Sequence, residues 1–313
     1  MRLFNRTTPY IALAGFVWMA LAAYFMVTHT PFPSELAREA VGEENMEIIS
    51  CEGNPCPYDG WVTTHEAGTG PLIVLLASAG REISDFNELT SKLNNAGYET
   101  LGVEADGISE HDKVDAATFD DFSRKVERSI GNNYDKPVLF IGHAFGNRLA
   151  RYTIANTQND NLKVSAVILL AAGGQVPMEP KAEQALRDIF NPMKSHKARM
   201  KDVEYAFFAE GNDIPDHWTR GWHTKTAIAQ GKAVAASAGD ESWHCAGGVP
   251  MLIVQPMQDR IAPIENAYAL RDKCPQEVEI VEVQNAGHAL LPEQPEAVAE
   301  AVLAFLAKHH AIN

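Results

Sequence analysis

The sequence predicts an α/β protein with a mainly parallel central sheet, helices on both faces and a helical cap inserted over one end. Three observations predict it. From about residue 72 onward, short apolar runs alternate with stretches of helical periodicity, the pattern of doubly covered strands joined by crossover helices. One such run, residues 138–141, leads through Gly142 and Gly146 straight into a helical pattern, which marks a sharp strand-to-helix turn. Residues 175–248 carry Phe207, Phe208, Trp218, Trp222 and Trp243 but no strong strand pattern. They read as helices packed over the carboxyl end of the sheet, where open α/β sheets bind ligands.

The elements follow in chain order. Residues 29–45 form an acidic, Pro-containing linker, and the first strands are expected at about 46–50 and 60–66. Residues 72–77 are a short apolar run and read as a buried strand. Residues 84–96 set Phe86, Leu89 and Leu93 at helical spacing before Gly97, a stop signal. Residues 98–103 are the next strand. Over 119–130, Phe119, Phe122, Val126 and Ile130 share one helical face. Residues 138–141 are the central strand, about 145–157 a helix, and 164–171 another buried strand. After the cap, residues 250–263 read as a strand ending in a loop with Asp259. Residues 278–288 repeat that pattern with His288, and a helix at about 295–308 closes the fold. The organisation expected is an N-terminal segment 1–28, the linker, and one domain 46–313 with a cap at about 175–248.

The N-terminal segment reads as a membrane element. Arg2 and Arg6 precede residues 11–27, an uncharged and strongly apolar run of about 17 residues, at the lower limit for a spanning helix. The residues after it are mostly acidic, so the positive-inside rule puts the N-terminus in the cytoplasm and the domain outside. Ala20-Leu21-Ala22 resembles a signal-peptidase site, but it lies inside the apolar run. Length therefore favours an uncleaved signal anchor over a secreted or periplasmic product of cleavage. Four cysteines fit an oxidising compartment. Cys51 and Cys56 flank a turn-like Glu-Gly-Asn-Pro, leaving Cys245 and Cys274 as the second possible pair; four unpaired thiols are the plain alternative. No cysteine or histidine spacing resembles a metal site, and no Gly-rich phosphate loop appears, so no cofactor is expected. A formal charge of −15 makes nucleic acid a poor partner.

The chemistry-bearing residues lie at the ends of strands. Residues 142–147, Gly-His-Ala-Phe-Gly-Asn, have the context of a nucleophile elbow, where one side chain is exposed at the top of a sheet. Ala144 occupies the position of that side chain, and a methyl group cannot attack a carbonyl. Asp259 and His288 follow in the order elbow, acid, histidine. An Asp accepting the Nδ1–H of a His fixes its tautomer. Together these residues resemble the α/β-hydrolase superfamily from about residue 60 to the end. The chain departs from the family pattern at Ala144, and at Ala77-Ser78, where the family usually has His-Gly. Residues 77–81, Ala-Ser-Ala-Gly-Arg, and the 142–147 phrase also resemble a bacterial branch of predicted hydrolases whose elbow carries Ala.

The resemblance implies an oxyanion hole from the backbone N–H groups of Ala79 and Phe145, main-chain donors that survive side-chain changes. Ser78, Trp218 and Trp222 are candidate substrate contacts; Ser78 reads equally as a turn residue. Arg81 reads better as an ion-pair residue, and His143 as a residue packed beneath the elbow. His217, His223 and His244 read as packing or exposed residues of the cap before pocket residues. Three accounts of Ala144 remain open: an engineered Ser→Ala knockout, a native Ala with His288–Asp259 as the base, or a scaffold that only binds. The leading expectation is an enzyme on a small, largely apolar molecule, with a membrane contact through the N-terminal helix. A non-catalytic binding protein is the alternative.

Overall fold

The structure is a computed structural model that describes residues 47–48, 62–65, 70–108, 114, 116–131, 136–276 and 278–309. Eight strands form one sheet: β1 (Glu47–Ile48), β2 (Val62–His65), β3 (Leu72–Leu76), β4 (Glu99–Val103), β5 (Val138–His143), β6 (Val164–Leu170), β7 (Met251–Pro256) and β8 (Val278–Val283). Their order is β1-β2-β4-β3-β5-β6-β7-β8. β1 pairs antiparallel with β2, and β2 with β4. The six strands from β4 to β8 are parallel. The expected fold class is therefore the observed one.

Alternation along each strand divides the core. Val74, Phe140, Val167, Leu169 and Ile253 face α2 (Phe119–Ile130) and α3 (Phe145–Asn156). Ile73, Leu75, Ile141, Ile168 and Val254 face the opposite layer, built from α1 (Asn87–Asn95) and the C-terminal helix Pro295–His309. The periodicity of 119–130 has the expected outcome: Phe119, Phe122, Val126 and Ile130 are all buried, each stabilising by about 1.5–3 kcal/mol. Thr118 caps this helix by accepting from the Asp121 N–H, and Asp121 returns the bond to the Thr118 N–H, a capping box. The helix expected to begin at 84 instead starts as a 3-10 turn, Ile83–Phe86, and becomes α-helical at Asn87.

Between β6 and β7 the chain is helical. It forms α4 (Pro180–Ile189), α5 (His196–Phe207), a 3-10 turn Asp216–Thr219 and α6 (Thr224–Ala236). These pack around their own cluster of Ile189, Val203, Phe207, Phe208, Trp218 and Trp222. α7 (Glu265–Lys273) follows β7, α8 (Leu290–Glu293) follows β8, and Pro295–His309 is α9.

Cys245 and Cys274 form a disulfide with Cα atoms 5.4 Å apart, tying the end of the helical insertion to the end of α7. Cys51, Cys56, the apolar run 11–27 and the linker lie outside the described residues. Among the described residues no helix is long and apolar enough to cross a membrane. The disulfide closes a sequence separation of 29 residues, a loop whose closure is worth about 2–4 kcal/mol. Cys245→Ser/Cys274→Ser is therefore expected to lose that much in urea unfolding without reductant, and reductant should erase the difference from the parent chain.

Candidate active site

The site begins where β5 meets α3. Ala144 joins them at φ 48° and ψ −105°, a conformation that costs a non-Gly residue on the order of 1–3 kcal/mol. The Ala144 N–H donates to Leu170 O at 3.0 Å, and its neighbours leave no room for relaxation. A Cβ on Gly142 would lie 2.4 Å from Gly146 O, and one on Gly146 only 2.0 Å from Leu76 O. The two glycines thus let α3 cross the ends of β5 and β3 in backbone contact. Asn147, fully buried, donates from Nδ2 to Leu170 O and Ala171 O and fastens the first turn of α3 to β6.

Asp259 lies on the loop after β7 and is buried. Its Oδ1 accepts from the N–H groups of Ile261 at 2.8 Å and Ala262 at 2.7 Å. Its Oδ2 lies 2.8 Å from His288 Nδ1. With both oxygens committed, the carboxylate is fixed in orientation and accepts the Nδ1–H, which leaves the His288 Nε2 lone pair toward the cavity. Among the described residues no protein group takes Nε2.

His288 is positioned from three sides. The Gly287 N–H donates to Glu293 Oε2 and the Ala289 N–H to Phe207 O. A Cβ on Gly287 would meet Phe207 O at 2.6 Å, so the loop needs glycine to lie against the end of α5. The imidazole stands edge-on to Phe207 with centroids 5.2 Å apart. Beneath it, His143 Nε2–H donates to His288 O at 2.7 Å. Burial, then the adjacent His288, hold His143 down at about 3. It stays neutral and serves as a support.

Ala144, His288, Ser78, Ala79 and Phe145 all line one cavity of about 590 Å³, enclosed by residues of the helical insertion including Leu186, Phe190, Phe207 and Ile228. The two residues expected to supply oxyanion donors thus line the same space. The Phe145 amide, first in α3, has no acceptor within its own helix. The adjacent Gly80 N–H is occupied, donating to Gln230 Oε1 of α6 at 2.7 Å.

Trp218 and Trp222 require a correction: neither lines the cavity. Both are buried, and the Arg81 guanidinium lies over their rings at 4.2 and 4.6 Å. Arg81 also pairs with Asp85 through two hydrogen bonds and donates to Arg220 O and Gly221 O. A cation stacked on two indoles needs them packed around it, so these rings clamp the turn after β3 to the insertion. None of His217, His223 and His244 lines the cavity either; His223 Nε2 lies 2.6 Å from Glu82 Oε1 in the same clamp. The sequence did not single out Arg148, Gln230 or Phe207 as cavity residues, though Phe207 stood among the cap aromatics. Arg148 had one visible signal, a charge on the helix directly after the elbow; nothing set Gln230 or Phe207 apart as cavity residues.

Glu104, just past β4, accepts from the Ile83 N–H on both oxygens. Burial first, then the charge of Glu82, push it up to about 8 from an ordinary 4.5. The folded chain therefore holds a proton that the unfolded chain releases. The stability this contributes is full below about pH 4.5 and is lost as pH rises through about 8. Glu104→Gln should be flatter than the parent in denaturation midpoint between those limits. The gap should widen with pH at up to about 1.36 kcal/mol per unit.

Comparison with known proteins agrees with this architecture. The alpha/beta hydrolase family matches residues 73–301. A bacterial membrane phospholipase A superposes with a TM-score of 0.68 at 15% identity, covering 96% of this chain and 99% of that one. A carboxylesterase from Bacillus subtilis gives 0.64 at 13%, covering 92% and 99%. An esterase from Exiguobacterium antarcticum gives 0.61 at 18%, covering 84% and 99%. At such identities the structures testify to the fold alone, but the family match spans most of the domain that carries the elbow, the acid and the histidine. The chain belongs to the alpha/beta hydrolase family.

Proposed function

We propose that this protein is an enzyme that uses the His288–Asp259 pair as a general base on a small, largely apolar molecule, without a covalent acyl-enzyme. One observation carries the reading. A histidine hydrogen-bonded to a fixed carboxylate turns Nε2 into a cavity of about 590 Å³, and the residue at the elbow beneath it has only a methyl group. Removing the nucleophile from a serine-type site leaves only the residual rate from binding and the oxyanion hole. Efficient chemistry here must therefore run through the base.

The step is a proton transfer. His288 Nε2 takes a proton from a bound water or from an acidic C–H of the substrate, and becomes an imidazolium stabilised by Asp259. The electron pair released moves onto a carbonyl oxygen of the substrate, either through attack by the water or through enolisation. The Phe145 and Ala79 N–H groups would receive that negative oxygen. The strained Ala144 supports this account, since the turn it makes brings Phe145 to the cavity wall.

The test uses two variants in parallel, with a panel of esters, lactones and acidic C–H compounds. His288→Ala is expected to reduce turnover by about 10²–10⁴-fold, with binding retained. Ala144→Ser is expected to add little on the preferred substrate. Strong esterase turnover and labelling by a serine-directed phosphonate in Ala144→Ser would instead identify a serine hydrolase lacking its nucleophile. Unchanged ligand affinity in His288→Ala with no turnover across the panel would leave a binding protein.

We also propose that the domain works outside the cytoplasm, tethered by residues 11–27. The apolar run after Arg2 and Arg6 and the Cys245–Cys274 disulfide support this, because disulfides persist in oxidising compartments. The full chain is expected in the membrane fraction after an alkaline carbonate wash. Recovery of a soluble chain that begins near Ala23 would mean cleavage instead.

A further inference from the structure

Arg148 is the one cavity residue whose charge has no evident use. It lies four positions after Ala144 on α3 and lines the cavity. Among the described residues it makes no hydrogen bond or ion pair. The other guanidinium lining the cavity, Arg187, pairs with Glu183 at 2.6 Å. No Asp or Glu lines the cavity, although the whole chain carries a formal charge of −15.

The guanidinium is seated by design of the backbone. The turn after β6 carries Gly173 and Gly174, the latter at φ +97°. A Cβ on Gly174 would lie 2.7 Å from Arg148 Nη2 and 3.0 Å from Cζ, so the turn packs directly against the guanidinium and a side chain there would push it aside. One turn on, Arg151 is fully buried and held by Asn147 O and Oδ1. Burial, then the charge of Arg148, lower Arg151 to about 9. Burial lowers Arg148 as well. Two guanidiniums thus lie close together on one helix, and an anion held by Arg148 would offset their mutual repulsion.

We propose that Arg148 is a substrate-binding residue and that the molecule bound here is a monocarboxylate with an apolar body. A planar carboxylate accepts two parallel N–H bonds from one guanidinium. A phosphate dianion would need further donors, which this mostly apolar lining does not supply. Arg148, Ala144 and His288 line the same cavity, so an acid held on Arg148 extends its chain into the space that Ala144 and His288 share. The class is thus a carboxylic acid with a carbonyl or ester a few bonds away. This rests on the cavity being the site of chemistry proposed above.

The test measures binding to the full chain by isothermal titration with two matched probes, 4-phenylbutyrate and its uncharged amide. The acid is expected to bind at least about tenfold more tightly than the amide. Arg148→Met should abolish that preference, and Arg148→Lys should retain only part of it. Arg148→Met should also melt no lower than the parent, because it removes an unpaired shielded charge, whereas loss of a structural ion pair would lower it. His288→Ala should keep the acid preference. The proposal is overturned if the parent binds the two probes equally or binds neither. It is equally overturned if Arg148→Met keeps the preference or melts well below the parent. His288-dependent turnover on uncharged substrates without an acid preference would sink the role of Arg148 and leave the base chemistry standing. An acid preference without any His288-dependent turnover would do the reverse.

Discussion

The strained peptide at Ala144 is held by backbone against backbone. Gly146 sits against Leu76 O, Gly142 against Gly146, and the Ala144 N–H reaches Leu170 O. Three parallel strands and one helix therefore converge on a single turn with almost no side-chain atoms between them. That convergence brings Phe145 and the turn after β3 to line one cavity and sets α3 running from it. A non-Gly residue is kept at positive φ only where its surroundings over-determine it. Here the surroundings do so although no nucleophile profits.

The cavity also needs a roof held in register with that floor, and buried polar groups supply the registration. Arg81 reaches from the turn after β3 to the carbonyls of Arg220 and Gly221, between the rings of Trp218 and Trp222. Gln230 takes the Gly80 N–H, and His223 meets Glu82. On the other side, Glu293 accepts from Gly287 and Ala209, joining the histidine loop to the segment after α5. Such bonds are directional where apolar packing is not, so they fix the insertion at one position over the sheet.

The electrostatics of the cavity run against those of the chain. The chain carries a formal charge of −15, yet the lining has no carboxylate, and Asp259 faces His288 from behind with both oxygens occupied. An apolar lining strengthens whatever charge remains inside. The His288–Asp259 pair and the guanidinium of Arg148 thus sit where water does not screen them fully.

Strand and helix positions were legible in the sequence, because burial on both faces demands continuous apolar runs and α2 demands its apolar stripe. The order of elbow, Asp259 and His288 was legible for the same reason, since each lies where such a strand ends. Trp218 and Trp222 misled because an aromatic residue in a cap has the same composition whether it lines a cavity or encloses a buried cation. Arg81, which decides between those roles, lies about 140 residues away in sequence. The seat that Gly174 makes for Arg148, and the capture of Gly80 by Gln230, were equally invisible. The sequence by itself determined the fold, the missing nucleophile and the residues able to form a base. Only the tertiary structure decided which side chains share the cavity and which charge is left without a partner, because those depend on contacts between segments that no local periodicity encodes.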